Sequence, residues 1–222
     1  MLEPRVRLKR LETRITAFEE QPIVKNKIMF YGDSAFTRWK EQYGNPNVED
    51  VIRMKDGSQA VVNHGFGSST AEEELYYYPR AVRPWEPRAL VLLSFGNDGG
   101  YAYTPAEVLA IQARILDYAR TDFPGIKLFF CNVRPLLKYQ DYAKSKLLAA
   151  QEYNELVAQY CAKHVDVTLV DHNDSPVFFE DGKQGDLLAA RADMFIEDKV
   201  HYNPEGFEIY RQFFMEYFKD LL

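Results

Sequence analysis

Lys-Ile-Met-Phe-Tyr-Gly-Asp-Ser-Ala-Phe-Thr-Arg, residues 27–38, is the stretch that decides the fold. Ile28 to Tyr31 form a short apolar run, which is typical of a buried strand in a parallel sheet. The run ends at Gly32-Asp33-Ser34, where glycine permits a sharp exit and two polar side chains follow. A hydroxyl at the carboxyl end of such a strand lies at the edge where α/β sheets usually bind ligands. Ser34 is therefore a candidate nucleophile, although Gly-Asp-Ser is also an ordinary turn tripeptide.

The composition is that of one globular domain with an acidic surface. The chain has 222 residues, with 27 Lys and Arg against 33 Asp and Glu and a net charge of −6. This length suits one well-buried core, and an acidic chain has no general attraction for nucleic acid or an anionic membrane. No apolar run is long enough to cross a bilayer, and none follows the first basic residues as a signal peptide requires. We therefore expect a cytoplasmic protein without nucleic-acid or membrane partners; its oligomeric state stays open.

The cysteines, the potential metal ligands and the N-terminal basic residues are all expected to have structural or surface roles. Cys131 and Cys161 fall in a predicted strand and a predicted helix and are expected to be buried free thiols. No cluster of His, Cys and carboxylates has the spacing of metal ligands, so neither a metal nor another cofactor is expected. The basic residues near the N-terminus are interleaved with glutamates, which favours a solvated helix face over a binding patch. They are Arg5, Arg7, Lys9, Arg10 and Arg14.

The order of predicted elements indicates an α/β protein. Residues 5–20 carry apolar side chains at helical spacing, so residues 1–26 are predicted to form a helical extension that packs on a single domain, residues 27–222. In that domain, apolar runs of strand length alternate with helical patterns, which predicts a three-layer α/β/α arrangement around a five-stranded parallel sheet. The predicted strands are 28–31, 60–62, 89–95, 126–133 and 167–170, and the main helices follow Thr70, open at Thr104, span 141–164 and follow Asn203.

Polar groups follow three of these strands and precede the last helix. The loops that hold Ser34, Ser68 and Asn97 leave from the same edge of a parallel sheet, because every strand-to-helix loop starts at a carboxyl end. Asp198 precedes His201 by three residues, a spacing at which the carboxylate can accept the imidazole Nδ1 proton. Nε2 is then free to act as a base. A serine hydroxyl needs such a base, since it is a poor nucleophile until its proton is taken.

These residues form four short blocks that resemble those of the SGNH (GDSL-type) hydrolase family. Gly32-Asp33-Ser34 resembles the first block, residues 63–70 the second, and Gly96-Asn97-Asp98 the third. The fourth is Asp198-Lys199-Val200-His201, followed by Asn203, Gly206 and Phe207. Each block is weak alone, but four in the correct order on the correct loops are a strong signal, and they cover nearly the whole chain from Lys27 onward. The resemblance implies a flavodoxin-like five-stranded sheet and a serine hydrolase.

The resemblance also implies a role for each matching residue. Ser34 resembles the nucleophile, His201 the general base and Asp198 the carboxylate that orients it. The family's oxyanion hole combines the serine N–H, a backbone N–H of the second block and the asparagine side chain of the third, here Asn97. Two departures occur. Ser68, preceded by Gly67, stands where the family has its oxyanion-hole glycine, so either residue could supply the N–H, with Ser68 ranked first. Phe95 replaces a glycine of the third block.

The expected reaction is hydrolysis of a carboxylic ester through an acyl-enzyme at Ser34, with a small-molecule ester as the partner. Tyrosines beside the oxyanion loops favour an acetyl ester, carried by a carbohydrate. His64, Tyr101 and Arg134 are the candidate substrate contacts outside the blocks. Two alternatives stay open: a hydrolase of lysophospholipids or acyl thioesters, and a catalytically silent binding module on the same fold.

Overall fold

Five parallel strands form one sheet in the order β2-β1-β3-β4-β5. The structure is a computed structural model that describes residues 4–222. The order reverses beside β1, which pairs with β2 on one side and β3 on the other. This is the flavodoxin-like order, and it confirms the predicted fold class. The strands are Ile28–Gly32 (β1), Val61–Gly65 (β2), Ala89–Leu93 (β3), Lys127–Cys131 (β4) and Val167–Val170 (β5).

Helices cover both faces of the sheet. Two of them begin at the sequence positions that mark a helix start: Thr70 with Glu73 and Thr104 with Glu107 each form a capping box. The α-helices are Glu12–Glu19 (α1), Ser34–Thr37 (α2), Val48–Val51 (α3), Ala71–Ala81 (α4), Pro105–Asp122 (α5), Lys144–Lys163 (α6) and Pro204–Phe218 (α7). Short 3-10 turns lie at Leu8–Leu11, Glu41–Tyr43, Arg83–Trp85, Asp98–Tyr101, Leu137–Gln140, Pro176–Phe178 and Ala192–Met194.

The two faces of the sheet bury separate cores, because successive side chains of a strand point to opposite faces. Met29 and Tyr31 belong to the core under α1, α4, α5 and α6. Ile28 and Phe30 belong to the core under α2 and α7. The aromatic residues of α7 repeat at helical spacing and pack into this second core. Together the two cores hold β1 completely buried, so the loop that follows it starts from a fixed point.

The N-terminal segment, residues 4–19, lies against α4. Ile15 and Phe18 are buried in the same core as the sheet, so this segment shares the core of the domain. Arg80 of α4 pairs with both Glu12 and Glu19 of α1. The predicted helix over 5–20 is shorter in the structure, with its α-helical part limited to α1. The division of the chain at residue 26 stays a prediction. Among residues 4–222, no helix combines the length and the apolar character that a membrane span requires.

Candidate active site

Ser34 is the first residue of α2 and follows β1 directly. Its position depends on a close approach of β1 to β3: a Cβ on Gly32 would lie 1.9 Å from the Leu93 carbonyl oxygen, so no larger residue fits there. Asp33 is buried, and its carboxylate accepts the Ala35 N–H at 2.9 Å, capping the short helix. The Gly-Asp-Ser sequence therefore makes a sharp turn that places the Ser34 hydroxyl at the carboxyl edge of the sheet.

The structure brings Ser34, His201 and Asp198 into one hydrogen-bonded chain. The Ser34 Oγ lies 2.9 Å from His201 Nε2, and His201 Nδ1 lies 2.6 Å from Asp198 Oδ2. The other carboxylate oxygen, Oδ1, accepts the backbone N–H groups of Val200 and His201 at 2.9 Å each. These two bonds fix the carboxylate within its own turn. A carboxylate at Nδ1 holds the imidazole in the tautomer whose Nε2 can accept a proton.

The charges around His201 suit a base. Burial lowers the pKa of His201 below its ordinary value; the Asp198 hydrogen bond opposes this, and the positive charge of Arg134 adds to it. Burial tends to raise the pKa of Asp198, but its hydrogen bonds from His201 and from backbone N–H groups lower that pKa below its usual value. At neutral pH the imidazole is therefore neutral and the carboxylate is charged. This is the pair of protonation states that allows Nε2 to take a proton.

Four N–H donors lie on the loops at this edge of the sheet, in Ser34, Gly67, Ser68 and Asn97. The backbone N–H groups of Ser34, Gly67 and Ser68 have no hydrogen-bond acceptor within residues 4–222. The Asn97 Nδ2 donates to the Ser69 carbonyl at 2.9 Å, which ties the third block to the second; an amide nitrogen has a second hydrogen left for another acceptor. This arrangement presents several N–H groups at one place, which is what stabilises a developing oxyanion.

Ser68, and not Gly67, has the backbone conformation that favours glycine. The φ angle of Ser68 is 69°, in the left-handed region. A Cβ on Gly67 would lie 3.5 Å from the Ser34 Cβ, an ordinary contact, so no steric reason requires glycine there. The position that matches the family's glycine is therefore the one with a glycine-like backbone here, and this favours Ser68 as the residue that presents the N–H.

A buried acidic network lies behind these donors, and the sequence did not predict it. The Ser69 hydroxyl donates to Glu74 Oε1 at 2.8 Å, and the Ala71 N–H donates to Asp98 Oδ1 at 2.9 Å. Burial raises the pKa of Glu74 well above its ordinary value, and it raises the pKa of Asp98 to about 7. The one sequence signal that could have identified Asp98 as part of the site is its position directly after Asn97. These side chains fix the backbone from which the donors project.

A cavity of about 190 Å³ opens beside Ser34 and Asn97. It lies between the loops that follow β1, β3 and β4, at the reversal of strand order where α/β sheets bind ligands. Its wall includes five aromatic residues, among them Phe95, Tyr139 and Tyr153. Phe95 thus takes a place in the wall, stacked on Tyr153 with ring centroids 4.2 Å apart. Phe95, which stands where the family has a glycine, therefore adds an apolar surface to the cavity.

Arg134 lines this cavity, and its contact with substrate stays a prediction. Its guanidinium is buried, donates to the Val200 carbonyl at 2.8 Å and lies 4.3 Å from the centroid of the Tyr202 ring. The contact with Val200 connects the loop after β4 to the turn that carries Asp198 and His201. Arg134 therefore acts on the site at least through its charge and through the position of that turn.

The structure corrects the other two predicted contacts. His64 is 1% exposed, its Nδ1 lies 2.7 Å from the Ala81 carbonyl oxygen and its ring stacks on Phe18. Strand alternation is the reason: in β2 the Asn63 side chain points to the face with α2, and His64 points to the opposite face. Burial lowers the pKa of His64 to about 4, so it is a neutral core residue.

Tyr101 does not line the cavity either. Its ring lies under the Arg10 guanidinium, 5.6 Å from Cζ to the ring centroid, while Tyr103 takes a place in the cavity wall. Among residues 4–222, no group of three or more His, Cys, Asp or Glu side chains is arranged to hold a metal ion.

The fold and the site define a three-layer α/β protein with a serine, a histidine and an aspartate joined at the carboxyl edge of its sheet. The model of the GDSL-like lipase/acylhydrolase family matches residues 30–209, and the chain belongs to this family. No curated protein matches the chain.

Several solved structures share the fold at low sequence identity. A protein of Bacteroides fragilis NCTC 9343 is 16% identical with a TM-score of 0.74, and the match covers 96% of this chain and 98% of that one. A GDSL-like lipase of Bacteroides thetaiotaomicron VPI-5482 is 17% identical with a TM-score of 0.69, covering 99% of this chain and 100% of that one. An acetyl xylan esterase, AlAXEase, is 14% identical with a TM-score of 0.64, covering 86% and 98%.

Proposed function

We propose that this protein is a serine-dependent hydrolase of carboxylic esters with short acyl groups. The observation that carries the proposal is the unbroken chain of hydrogen bonds from the Ser34 hydroxyl through His201 to Asp198. A catalytically silent binding module has no need for this chain of contacts in combination with unbonded N–H groups around the same hydroxyl. Membership of a lipase and acylhydrolase family supports the same reaction class.

The reaction proceeds in two halves. The Ser34 Oγ attacks the ester carbonyl carbon while His201 Nε2 takes the hydroxyl proton, and the N–H groups of Ser34, Ser68 and Asn97 stabilise the oxyanion that forms. The tetrahedral intermediate collapses as His201 gives that proton to the leaving alcohol oxygen, which leaves an acyl-enzyme. Water then attacks the acyl carbon with His201 again as the base. The carboxylic acid leaves, and the Ser34 hydroxyl is restored.

The cavity volume supports a short acyl group. A cavity of about 150 Å³ accommodates benzene, whereas pockets for drug-sized ligands have roughly 300–1,000 Å³. At about 190 Å³, the cavity beside Ser34 is close to the smaller value. Its aromatic wall suits an acetyl ester on a sugar, because tyrosine rings combine an apolar face with a polar hydroxyl. The fold shared with an acetyl xylan esterase agrees with this choice.

The proposal is tested with p-nitrophenyl esters of increasing acyl length. We expect kcat/KM to be highest for acetate and to fall once the acyl chain exceeds about six carbons, the size of the benzene that a similar cavity holds. Highest activity on long chains would instead support the lysophospholipid or thioester alternative. Ser34→Ala should lower kcat by at least about 10⁴, since the nucleophile is removed. Ser58→Ala, which removes an exposed hydroxyl in a turn, is the matched control and should keep full activity.

A further inference from the structure

The N-terminal segment contacts both loops that carry the proposed oxyanion donors. Arg10 donates from Nη2 to the Ser68 carbonyl and to Glu73 Oε2, the second at 2.7 Å. Arg5 donates to the Ala102 carbonyl at 2.7 Å and pairs with Glu107. The basic residues that the sequence assigned to a solvated face therefore include two that reach the site's supporting loops.

The two carbonyls that these arginines hold share an unusual feature. Ser68 has a φ angle of 69° and Ala102 a φ angle of 59°, both in the left-handed region and neither a glycine. A residue with a Cβ pays about 1–2 kcal/mol for this conformation relative to the right-handed one. Such conformations persist where surrounding contacts hold them. The arginine bonds are contacts of this kind, since each fixes the peptide plane on the C-terminal side of the strained residue.

We infer that Arg10 is a positioning residue of the oxyanion hole, which holds Ser68 in the left-handed conformation that presents its N–H to the reacting carbonyl. The inference rests on the proposed function. Where the family has a glycine that adopts this conformation freely, this chain has a serine, and the guanidinium from the N-terminal segment compensates for the substitution. Arg5 holds Ala102 in the left-handed conformation in the same way, in the loop after Asn97 and farther from the reacting atoms.

The contacts of Arg10 make this role specific. Glu73 is fully buried and also accepts the Thr70 N–H at 3.0 Å, so Arg10 bonds to the same carboxylate that caps α4. The Tyr101 ring flanks the guanidinium on its other side. The arginine is thereby fixed between the second and third blocks. Arg80 is the natural comparison, because it also ties the N-terminal segment to α4 through Glu12 and Glu19 and makes no bond to either loop.

The test compares Arg10→Ala with Arg80→Ala in steady-state hydrolysis of p-nitrophenyl acetate. An oxyanion hole acts on the transition state more than on bound substrate, so a misplaced donor lowers kcat and leaves KM nearly unchanged. We expect Arg10→Ala to lower kcat about 10-fold, less than the 10² or more that loss of a whole donor costs. KM should change less than about threefold, and Arg80→Ala should keep kcat within about twofold, because exposed ion pairs contribute little.

The decisive variant is a second substitution that removes the strain. Ser68→Gly adopts the left-handed conformation without cost and keeps the N–H. We expect kcat of the double variant Arg10→Ala/Ser68→Gly to return to within about threefold of Ser68→Gly alone. Any fall in kcat caused by Arg5→Ala should be reversed by adding Ala102→Gly and not by adding Ser68→Gly. An undiminished kcat in Arg10→Ala, an equal loss in Arg80→Ala, or a loss that Ser68→Gly does not relieve would each overturn the inference.

Hydrogen exchange separates this inference from the proposed function. In Arg10→Ala, the hydrogen-bonded amides of Phe66, Ser69 and Thr70 should exchange faster than in the unmodified protein, and in Arg80→Ala they should not. This measurement needs no substrate. If the unmodified protein lacks Ser34-dependent hydrolysis, the proposed function fails while exchange still tests whether Arg10 holds the loop. Equal exchange in all three proteins would show that it does not.

Discussion

The two halves of the candidate site are held in different ways. The proton-transfer half, Ser34 with His201 and Asp198, is fixed locally: one four-residue turn positions the carboxylate and the imidazole through its own backbone N–H groups. The oxyanion half is spread over three loops. Ser68 depends on Arg10 of the N-terminal segment, and Asn97 depends on the Ser69 carbonyl. Within the first half, local hydrogen bonds position Asp198 and His201, and Arg134 adds one bond to the same turn through the Val200 carbonyl, whereas the second half collects contributions from three loops and the N-terminal segment.

This difference predicts different responses to substitution. Residues of the proton-transfer half act as one unit, so removal of any member costs most of the effect of removing all of them. Residues of the oxyanion half act through separate donors and supports, so their losses should be graded.

Among substitutions that keep the Ser34 nucleophile, the largest effect is expected for Asp198→Asn. The asparagine side chain can donate to Nδ1, which favours the tautomer with the proton on Nε2 and removes the base that faces Ser34. We expect kcat to fall on the order of 10³–10⁴, the size seen when the carboxylate of a serine triad is replaced in this way. Asp193→Asn, which removes a surface carboxylate paired with Arg191, is the control. A loss below about tenfold in Asp198→Asn would mean that the turn alone orients His201.

Asn97→Ala should have the next largest effect. It removes one side-chain donor and leaves the backbone donors of Ser34 and Ser68 in place, so kcat should fall on the order of 10²–10³ with little change in KM. Asn47→Ala, at an asparagine outside the cavity wall, should leave both constants unchanged. If Asn97→Ala instead raised KM and left kcat unchanged, the Asn97 side chain would bind substrate and would not be one of the oxyanion donors.

The sequence predicted those parts of the molecule that depend on short-range patterns and chain order. Apolar runs marked all five strands, and the Asp198 to His201 spacing marked a turn that the structure reproduces with both side chains in contact. Parallel strands bring their following loops to one edge, so topology placed Ser34, Ser68 and Asn97 at that edge, while the meeting of Ser34 with His201 was implied by the family resemblance. The capping boxes at Thr70 and Thr104 were predictable because their hydrogen bonds lie within four residues.

The parts that the sequence missed depend on side-chain direction and long-range contact. His64 adjoins the second block in sequence, yet alternation along β2 turns it into the opposite core. Arg10 lies 58 residues from Ser68, and nothing in its local pattern distinguishes it from exposed basic neighbours. Burial of Glu74 and Asp98 is equally a tertiary property. Such contacts follow from the packing of one element on another and have no periodic signature.

The smallest effect on turnover and a distinct effect on stability are expected for Asp98→Asn. The asparagine Oδ1 can still accept the Ala71 N–H, so kcat should stay within about threefold of the original value. Asp98 is fully buried, and its pKa is raised from 3.8 to about 7, so the folded state binds a proton that the unfolded state releases. Its contribution to the free energy of unfolding is therefore fully present below pH 3.8 and is lost as the pH rises to about 7.

Asp98→Asn removes this dependence, because the amide stays neutral at every pH. In urea unfolding at pH 4, 5.5 and 7, the variant should nearly match the unmodified protein at the lowest pH and exceed its free energy of unfolding by on the order of 4 kcal/mol at the highest. Asp117→Asn, at a surface residue paired with Arg120, should follow the unmodified protein throughout. Parallel curves for Asp98→Asn and the unmodified protein would show that Asp98 is charged in the folded state. The acidic network behind the oxyanion loops would then support those loops as an ion and not as a neutral hydrogen-bonding group.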